Sequence, residues 1–238
     1  MEASPGSTFP EALAKYTIDV RQEGNTIYAI AERKERSWNN ENNLSIGFEI
    51  QVPQQMACNL RTSGGSISLE SVTGEQTVQT SGGSLSFKNI KGNMDANTSG
   101  GSIDLANYQG SLDAQTSGGS INIDDANGSL KVHTSGGSIH LDKVAGDINA
   151  HTSGGSIHAD VQRLGKYLTL ETSGGSVHAT IPGGKGLDLD LEGNRVKTAL
   201  TNFNGTSDTR RVKGTVNGGG IPVKMSTSGG TTELSYRM

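Results

Sequence analysis

Hydrophobic and polar residues alternate along residues 61–180 in a register that repeats every 18 residues. Each repeat contains short apolar-polar-apolar segments that are preceded by glycine. Alternation with a period of two predicts β-strands that have one buried face and one exposed face. The clearest apolar column comprises Ile67, Leu85, Ile103, Ile121, Ile139, Ile157 and Val177.

A Thr-Ser-Gly-Gly motif recurs with the same spacing. A fixed period of this length is typical of solenoids, in which each turn buries its apolar face against the next turn. The sequence therefore predicts an all-β parallel β-solenoid with 18 residues and two strands per turn and with glycine at the corners. Parallel crossovers are nearly always right-handed, which favours a right-handed β-helix or roll. The motif begins every 18 residues at Thr62, Thr80, Thr98, Thr116, Thr134 and Thr152, and it returns at Thr172, after a two-residue insertion, and at Thr227.

Two other solenoid types also use 18-residue turns. A three-sided left-handed helix has a six-residue sub-period, whereas Gly101, Gly110, Gly119 and Gly128 mark a nine-residue half-period here. A calcium β-roll has Gly-Gly-x-Gly-x-Asp loops, which are missing from the repeats. Handedness and cross-section stay open at this point.

The chain outside the regular solenoid of residues 61–180 predicts a cap at each end. Residues 1–60 predict an antiparallel β cap, because 16–21 and 26–30 alternate around a turn sequence and 46–52 alternates again. Residues 181–238 predict irregular rungs, at 187–191 and 214–216, and a closing strand at 231–238. Such caps cover the edges through which a solenoid would polymerise.

Charge and composition exclude several classes of partner. The chain has 20 Lys and Arg against 24 Asp and Glu, which argues against nucleic acid because phosphate binding needs a clustered basic surface. No apolar run approaches the ~20 residues of a membrane-spanning helix. Polar outward columns with few aromatic residues favour a monomer. Residues 1–10 contain no signal-peptide core, so we expect any export signal to be missing from this sequence.

The repeats also resemble a known family. The Thr-Ser-Gly-Gly-Ser-Ile segments, the Val52-Pro53 end of the segment before the first repeat, and the late motif at Thr227 resemble the bacterial DUF4097 adhesin family over residues 17–234. The resemblance implies an exported β-solenoid of the periplasm or cell surface without an established enzymatic activity, and it supplies no catalytic residue. We therefore expect a non-enzymatic structural or adhesion-type protein, without a cofactor, that binds a cell-surface glycan or an envelope protein on an extended face.

Stacked turns convert recurring positions into surface ladders, and all five histidines fall in two of these. His140 and Asp142 on one turn, with His158 and Asp160 on the next, stand on one outward face. Residues on one face lie ~7 Å apart along a strand and ~4.8 Å apart across strands. Two imidazoles and two carboxylates at these spacings predict a site for a divalent transition metal. The alternative is a solvated surface on which the charges of histidine and aspartate offset each other.

The alternative function is a polysaccharide lyase or hydrolase built on a β-helix. Such an enzyme needs acidic residues that converge in a groove. The acids of the repeats occupy regular outward columns and long insertions are nearly absent before residue 180, so the non-enzymatic interpretation is favoured. The candidate residues are Asp104, Asp113, Asp124 and Asp125 in the repeats, and Arg195, Lys197, Asp208, Arg210 and Arg211 in the irregular region.

Overall fold

The computed structural model describes residues 13–34 and 44–237, and the chain divides into two compact units, residues 1–52 and 53–238. In the first unit, β1 (Tyr16–Glu23) and β2 (Thr26–Arg33) form a two-stranded antiparallel sheet. Gly24 adopts a φ of 59° in the turn between them, a conformation that glycine reaches without steric cost. The predicted hairpin is confirmed.

The prediction of a further strand at 46–52 is wrong, because that segment forms no strand. Alternation assigns the faces of a segment, but a strand exists only where its backbone groups bond to a neighbour. Residues 1–12 and 35–43 of the predicted cap lie outside the described residues. Capping by residues 1–60 stays a prediction.

The second unit is a parallel β-solenoid of about seven turns with the expected 18-residue spacing. Fifteen strands form one continuous sheet that winds around a buried core. The strands are β3 (Cys58–Thr62), β4 (Ile67–Glu70), β5 (Gln76–Thr80), β6 (Leu85–Thr98), β7 (Ile103–Thr116), β8 (Ile121–Thr134), β9 (Ile139–Thr152), β10 (Ile157–Thr172), β11 (Val177–Pro182), β12 (Leu187–Glu192), β13 (Arg195–Thr198), β14 (Phe203–Ser207), β15 (Arg211–Val216), β16 (Ile221–Thr227) and β17 (Thr231–Arg237).

Each central turn contains one long strand, whereas the sequence predicts two strands per turn. Each of β6 to β9 runs unbroken for 14 residues. Within β7 the backbone bends where Asn107 has a φ of 56° and Gly110 a φ of 145°. Stacked turns bend at the same positions. The parallel pairing of β7 with β8 therefore resumes directly after Asn107 and runs from Tyr108 with Ala126 to Thr116 with Thr134.

The core contains the apolar columns that alternation predicts, such as the one with Leu85, Ile103 and Ile121. It also contains one column that alternation misses. The additional column lies ten residues after each motif threonine, immediately beyond the bend. Its largest member, Tyr108, is 3% exposed, and its hydroxyl lies 2.7 Å from the carbonyl oxygens of both Gly92 and Ser111. The column comprises Val72, Ile90, Tyr108, Ala126 and Val144.

The Thr-Ser-Gly-Gly-Ser corner joins each turn to the preceding one through its side chains. The buried hydroxyl of Thr134 donates a hydrogen bond to the carbonyl of Gly119 at 2.8 Å and accepts one from the N–H of Gly137 at 3.3 Å. The N–H of Ser138 donates to Oγ of Ser120 at 3.2 Å. The motif is therefore structural, and the same bonds recur from turn to turn.

Thr134→Val should lower the free energy of unfolding by about 2 kcal/mol, because it leaves the carbonyl of Gly119 and the N–H of Gly137, both half-buried, without this partner. Thr134→Ser keeps the hydroxyl, loses one methyl group and should cost only about 1 kcal/mol. Urea denaturation of both variants gives the comparison. A Thr134→Ser variant that is less stable than Thr134→Val would show that the methyl group, not the hydrogen bonds, matters at the corner.

The last turn of the chain is not the last turn of the stack. We call residues 221–237, with β16 and β17, the inserted turn. Its strand β16 pairs in parallel with β10 on one side and β12 on the other, and β17 lies between β11 and β13. Thr227 consequently stacks on Thr172, 55 residues earlier. The predicted closing strand at 231–238 is an interior strand, and Met238 lies outside the described residues.

Residues 214–216 also differ from the prediction. They belong to β15, which pairs antiparallel with β12 and with β14 and so forms no solenoid rung. After β15, the chain returns through residues 217–220, all four of which have positive φ, with values of 50°, 84°, 81° and 145°. Three of these four are glycines, which reach such conformations readily. This short connection carries the chain back between the two turns that precede it.

Among the described residues, no helix has the length and apolar character needed to cross a membrane.

Candidate functional site

The first ladder, defined by the predicted metal residues His140, Asp142, His158 and Asp160, lies on the outward face of β9 and β10. His140 and His158 occupy paired positions on the two strands, and both are exposed. The carboxylates are not paired in the same way. The register between β9 and β10 shifts after Ala159, because β10 has one residue between Ala159 and Val161 where β9 has two, Asp142 and Lys143. The structure thus aligns the two imidazoles but not Asp160 with Asp142.

Cations already contact both carboxylates of the first ladder. Nζ of Lys143 lies 3.2 Å from Asp142, and Arg237 of the inserted turn forms an ion pair with Asp160. In residues 13–34 and 44–237, no group of three or more His, Cys, Asp or Glu side chains is arranged to hold a metal ion. Metal binding by the first ladder stays a prediction.

The column of His140 and His158 continues through His178 in β11 to Glu233 in the inserted turn. His178 follows His158 in the stack, and their rings are 6.4 Å apart and tilted by 39°. Nδ1 of His178 lies 3.6 Å from a carboxylate oxygen of Glu233, which also lies 3.7 Å from Nζ of Lys197. Glu233 thus stands between His178 and Lys197 in the stack. Spacing in the sequence cannot reveal this arrangement, because β17 is inserted from the end of the chain.

The second ladder consists of the residues immediately before the motif threonines, and it contains Gln115, His133, His151 and Glu171 in successive turns. The imidazole rings of His133 and His151 are stacked, with centroids 5.2 Å apart and planes within 4° of parallel. Both residues are half-buried. Burial lowers the pKa of His133, and the charges of His151 and Lys131 lower it further.

A shallow depression interrupts the outward columns of the turns formed by β6, β7, β8 and β9. It lies over Ala106, whose short side chain stands between Lys88 and Asp124 in the stack. Polar and charged side chains border the depression. The lining residues are Ser86, Phe87, Lys88, Asp104, Leu105, Ala106, Asn122, Ile123, Asp124, His140 and Asp142.

Three of the acidic residues that were candidates for catalysis contact polar groups of adjacent turns. Asp104 accepts a hydrogen bond from the amide of Asn122 at 2.7 Å. Asp113 lies 2.7 Å from Nζ of Lys131, and Asp124 lies 3.2 Å from Nζ of Lys143.

The fourth acidic candidate, Asp125, occupies the bend of β8 with a φ of 56°. It therefore stands at a corner of the turn and outside the regular alternation of the strand.

The charged residues of the irregular region serve its local structure. Asp208 accepts hydrogen bonds from the backbone N–H groups of Arg210 and Arg211, at 2.7 and 2.9 Å, and these bonds lower the pKa of its carboxyl group. The guanidinium of Arg211 lies 3.0 Å from Asp190. These contacts hold the turn between β14 and β15 against β12.

The sequence profile of the Toastrack DUF4097 family matches residues 15–235. The chain belongs to this family. No curated protein and no solved structure matches the chain significantly. Toastrack membership and a regular β-solenoid together fit a structural or surface protein. The family description names no substrate, partner or site residue, so a more specific function has to be argued from this chain's own surface.

Proposed function

We propose that the chain is a non-enzymatic structural protein of the extracytoplasmic envelope and that its outward face binds a neutral glycan. The observation that carries this proposal is the depression over Ala106 in an otherwise continuous charged column. The extracytoplasmic location rests on the resemblance to DUF4097 proteins. Fractionation of cells that carry the complete natural gene tests that location.

The depression has the chemistry of a sugar subsite. A carboxylate of Asp104, an amide of Asn122 and the imidazole of His140 border it, and such groups form hydrogen bonds with sugar hydroxyls. The half-buried methyl group of Ala106 lies at its centre, and the C–H face of a sugar ring can pack against it. A net charge of −4 and several carboxylates disfavour polyanionic glycans.

Two further observations support a binding role over polysaccharide cleavage. Asp104 and Asp124 point outward from regular strands, and each is engaged by a side chain of the following turn. Asp113 lies on the other segment of β7, beyond the bend. Glycoside hydrolysis needs two carboxyl groups that flank one bond. A polysaccharide-acting enzyme remains the alternative function.

Ala106→Lys should abolish glycan binding, because the lysine side chain fills the depression. Ala145→Lys is the matched control: Ala145 is also half-buried, and its outward column holds a lysine, Lys91, in another turn. An array of neutral and acidic glycans, followed by calorimetry on the hits, provides the measurement. Binding that Ala106→Lys leaves unchanged, or binding to none of the neutral glycans, contradicts the proposal. Release of reducing ends from a polysaccharide would establish the enzymatic alternative.

A further inference from the structure

We propose that the stacked imidazoles of His133 and His151 form a binding site for a divalent transition metal, with water completing the coordination. The two histidines occupy directly paired positions on β8 and β9. Their rings face each other at 5.2 Å with planes within 4° of parallel. This site is distinct from the first ladder and lies next to the Thr-Ser corner, beyond the bend of each turn.

The distance between the rings is close to what one ion requires. Zinc–imidazole bonds are about 2.0–2.1 Å long, so two ligating nitrogens lie at most about 4 Å apart. Rotation about the last side-chain bond of histidine costs little energy, because that torsion is broad. A ligating nitrogen binds in the plane of its ring, so both rings would rotate about this bond until their lone pairs converge on one ion. The backbone ladder of β8 and β9 can stay in place during this rotation.

The surroundings of the pair also favour a metal. Both residues are half-buried, so solvent would only partly surround an ion held between them. Lys131, on the neighbouring column, is engaged by Asp113 at 2.7 Å. Imidazole ligands suit Zn²⁺, Ni²⁺ and Cu²⁺.

The first ladder is less suited to the same ion. His140 and His158 are exposed, and the register shift after Ala159 removes Asp160 from alignment with Asp142. The next histidine in that column, His178, is tilted by 39° relative to His158 and lies near Glu233. Of the two histidine ladders, the second one presents the closer and more parallel imidazole pair.

Calorimetric titration of the untagged full chain with Zn²⁺ and with Ni²⁺, in a buffer that does not bind metals, tests the proposal. We expect one metal site per chain. Its affinity should be at least tenfold lower in His133→Gln and in His151→Gln. The matched control is His140→Gln with His158→Gln, which should leave the affinity unchanged. Thermal unfolding without metal shows whether each variant keeps its fold.

A second measurement separates loss of ligands from loss of structure. The ring protons of His133 and His151 should shift in NMR spectra on addition of Zn²⁺, while those of His140 and His158 should not. The proposal is overturned if the wild-type chain binds no metal, if binding persists when both His133 and His151 are replaced by glutamine, or if the control double variant abolishes it. The last outcome would assign the metal to the first ladder.

Discussion

Replacing Gly119 with alanine should severely destabilise the solenoid, whereas Gly118→Ala, one residue earlier in the same corner, should be tolerated. A Cβ atom on Gly119 would lie 2.1 Å from the carbonyl oxygen and 2.4 Å from the carbonyl carbon of Gly101 in the preceding turn. On Gly118 the nearest atom, the carbonyl oxygen of Gly100, would be 3.4 Å away. Backbone atoms of stacked turns cannot move apart without breaking their ladder, so only the first substitution creates a clash.

Equilibrium urea denaturation of the two variants gives the measurement. We expect Gly119→Ala to lose about 3 kcal/mol or more, at or beyond the upper end of the usual range for overpacking, and Gly118→Ala to lose about 1 kcal/mol or less. Neither glycine has a φ in the left-handed region, so the comparison isolates the close approach of the turns. Similar midpoints for the two variants would mean that the corner relaxes to admit a methyl group.

Deleting the inserted turn, so that the chain ends at residue 220, should convert the chain, which we expect to be monomeric, into an aggregating species. The deletion removes the parallel partner that β10 and β12 share and the one that β11 and β13 share. Unpaired parallel edges in the middle of a sheet are templates for pairing with another chain. It also removes the ion pair of Arg237 with Asp160 and the hydrogen bond from Thr232 to Glu192.

Size-exclusion chromatography with light scattering, together with circular dichroism, tests this expectation. The matched control is Thr206→Pro, which disturbs only β14 at the end of the sheet and should leave the chain monomeric and folded. A synthetic peptide of residues 221–238 should restore a soluble species when added to the shortened chain. The same peptide with Gly230→Val should not, because a Cβ at that position would lie 2.3 Å from the carbonyl oxygen of Gly175. A shortened chain that is monomeric and melts like the full one would contradict the expectation.

The regular part of the fold could be predicted because its determinants are local and periodic. The motif threonines and the aliphatic columns repeat every 18 residues, so one correct turn specifies its neighbours. The column of Val72, Ile90, Tyr108, Ala126 and Val144 was missed because the residues with positive φ just before it change the phase of alternation. Its five members are of four residue types, so no single repeated residue marks the column.

The neighbours of the inserted turn could not be predicted in the same way. The motif at Thr227 indicates another corner of the same type, but a corner sequence does not specify the turn on which it stacks. Its pairing with Thr172 depends on contacts between segments far apart in the chain. The first ladder had a related problem, since the register shift after Ala159 depends on where β10 departs from the 18-residue repeat, and only the strand pairing shows this.

The candidate site was visible in part. The 18-residue spacing of His133 and His151 marks them as neighbours in the stack, and this signal could have identified the second ladder. The parallel stacking of the rings and their half-burial depend on side-chain packing that spacing does not determine. The depression over Ala106 was missed for another reason, since it depends on a short side chain between two long ones.

The position of the inserted turn separates the order of synthesis from the order of stacking. Ribosomes add about 5–20 residues per second, and β10 to β13 emerge before β16 and β17 exist. Until residues 221–237 have been made, the turn of β10 and β11 ends in an open edge and β12 has no parallel neighbour. The solenoid can therefore grow turn by turn only as far as β11 during translation. Its completion must follow the synthesis of almost the entire chain, and a newly made molecule depends most on chaperones during that interval.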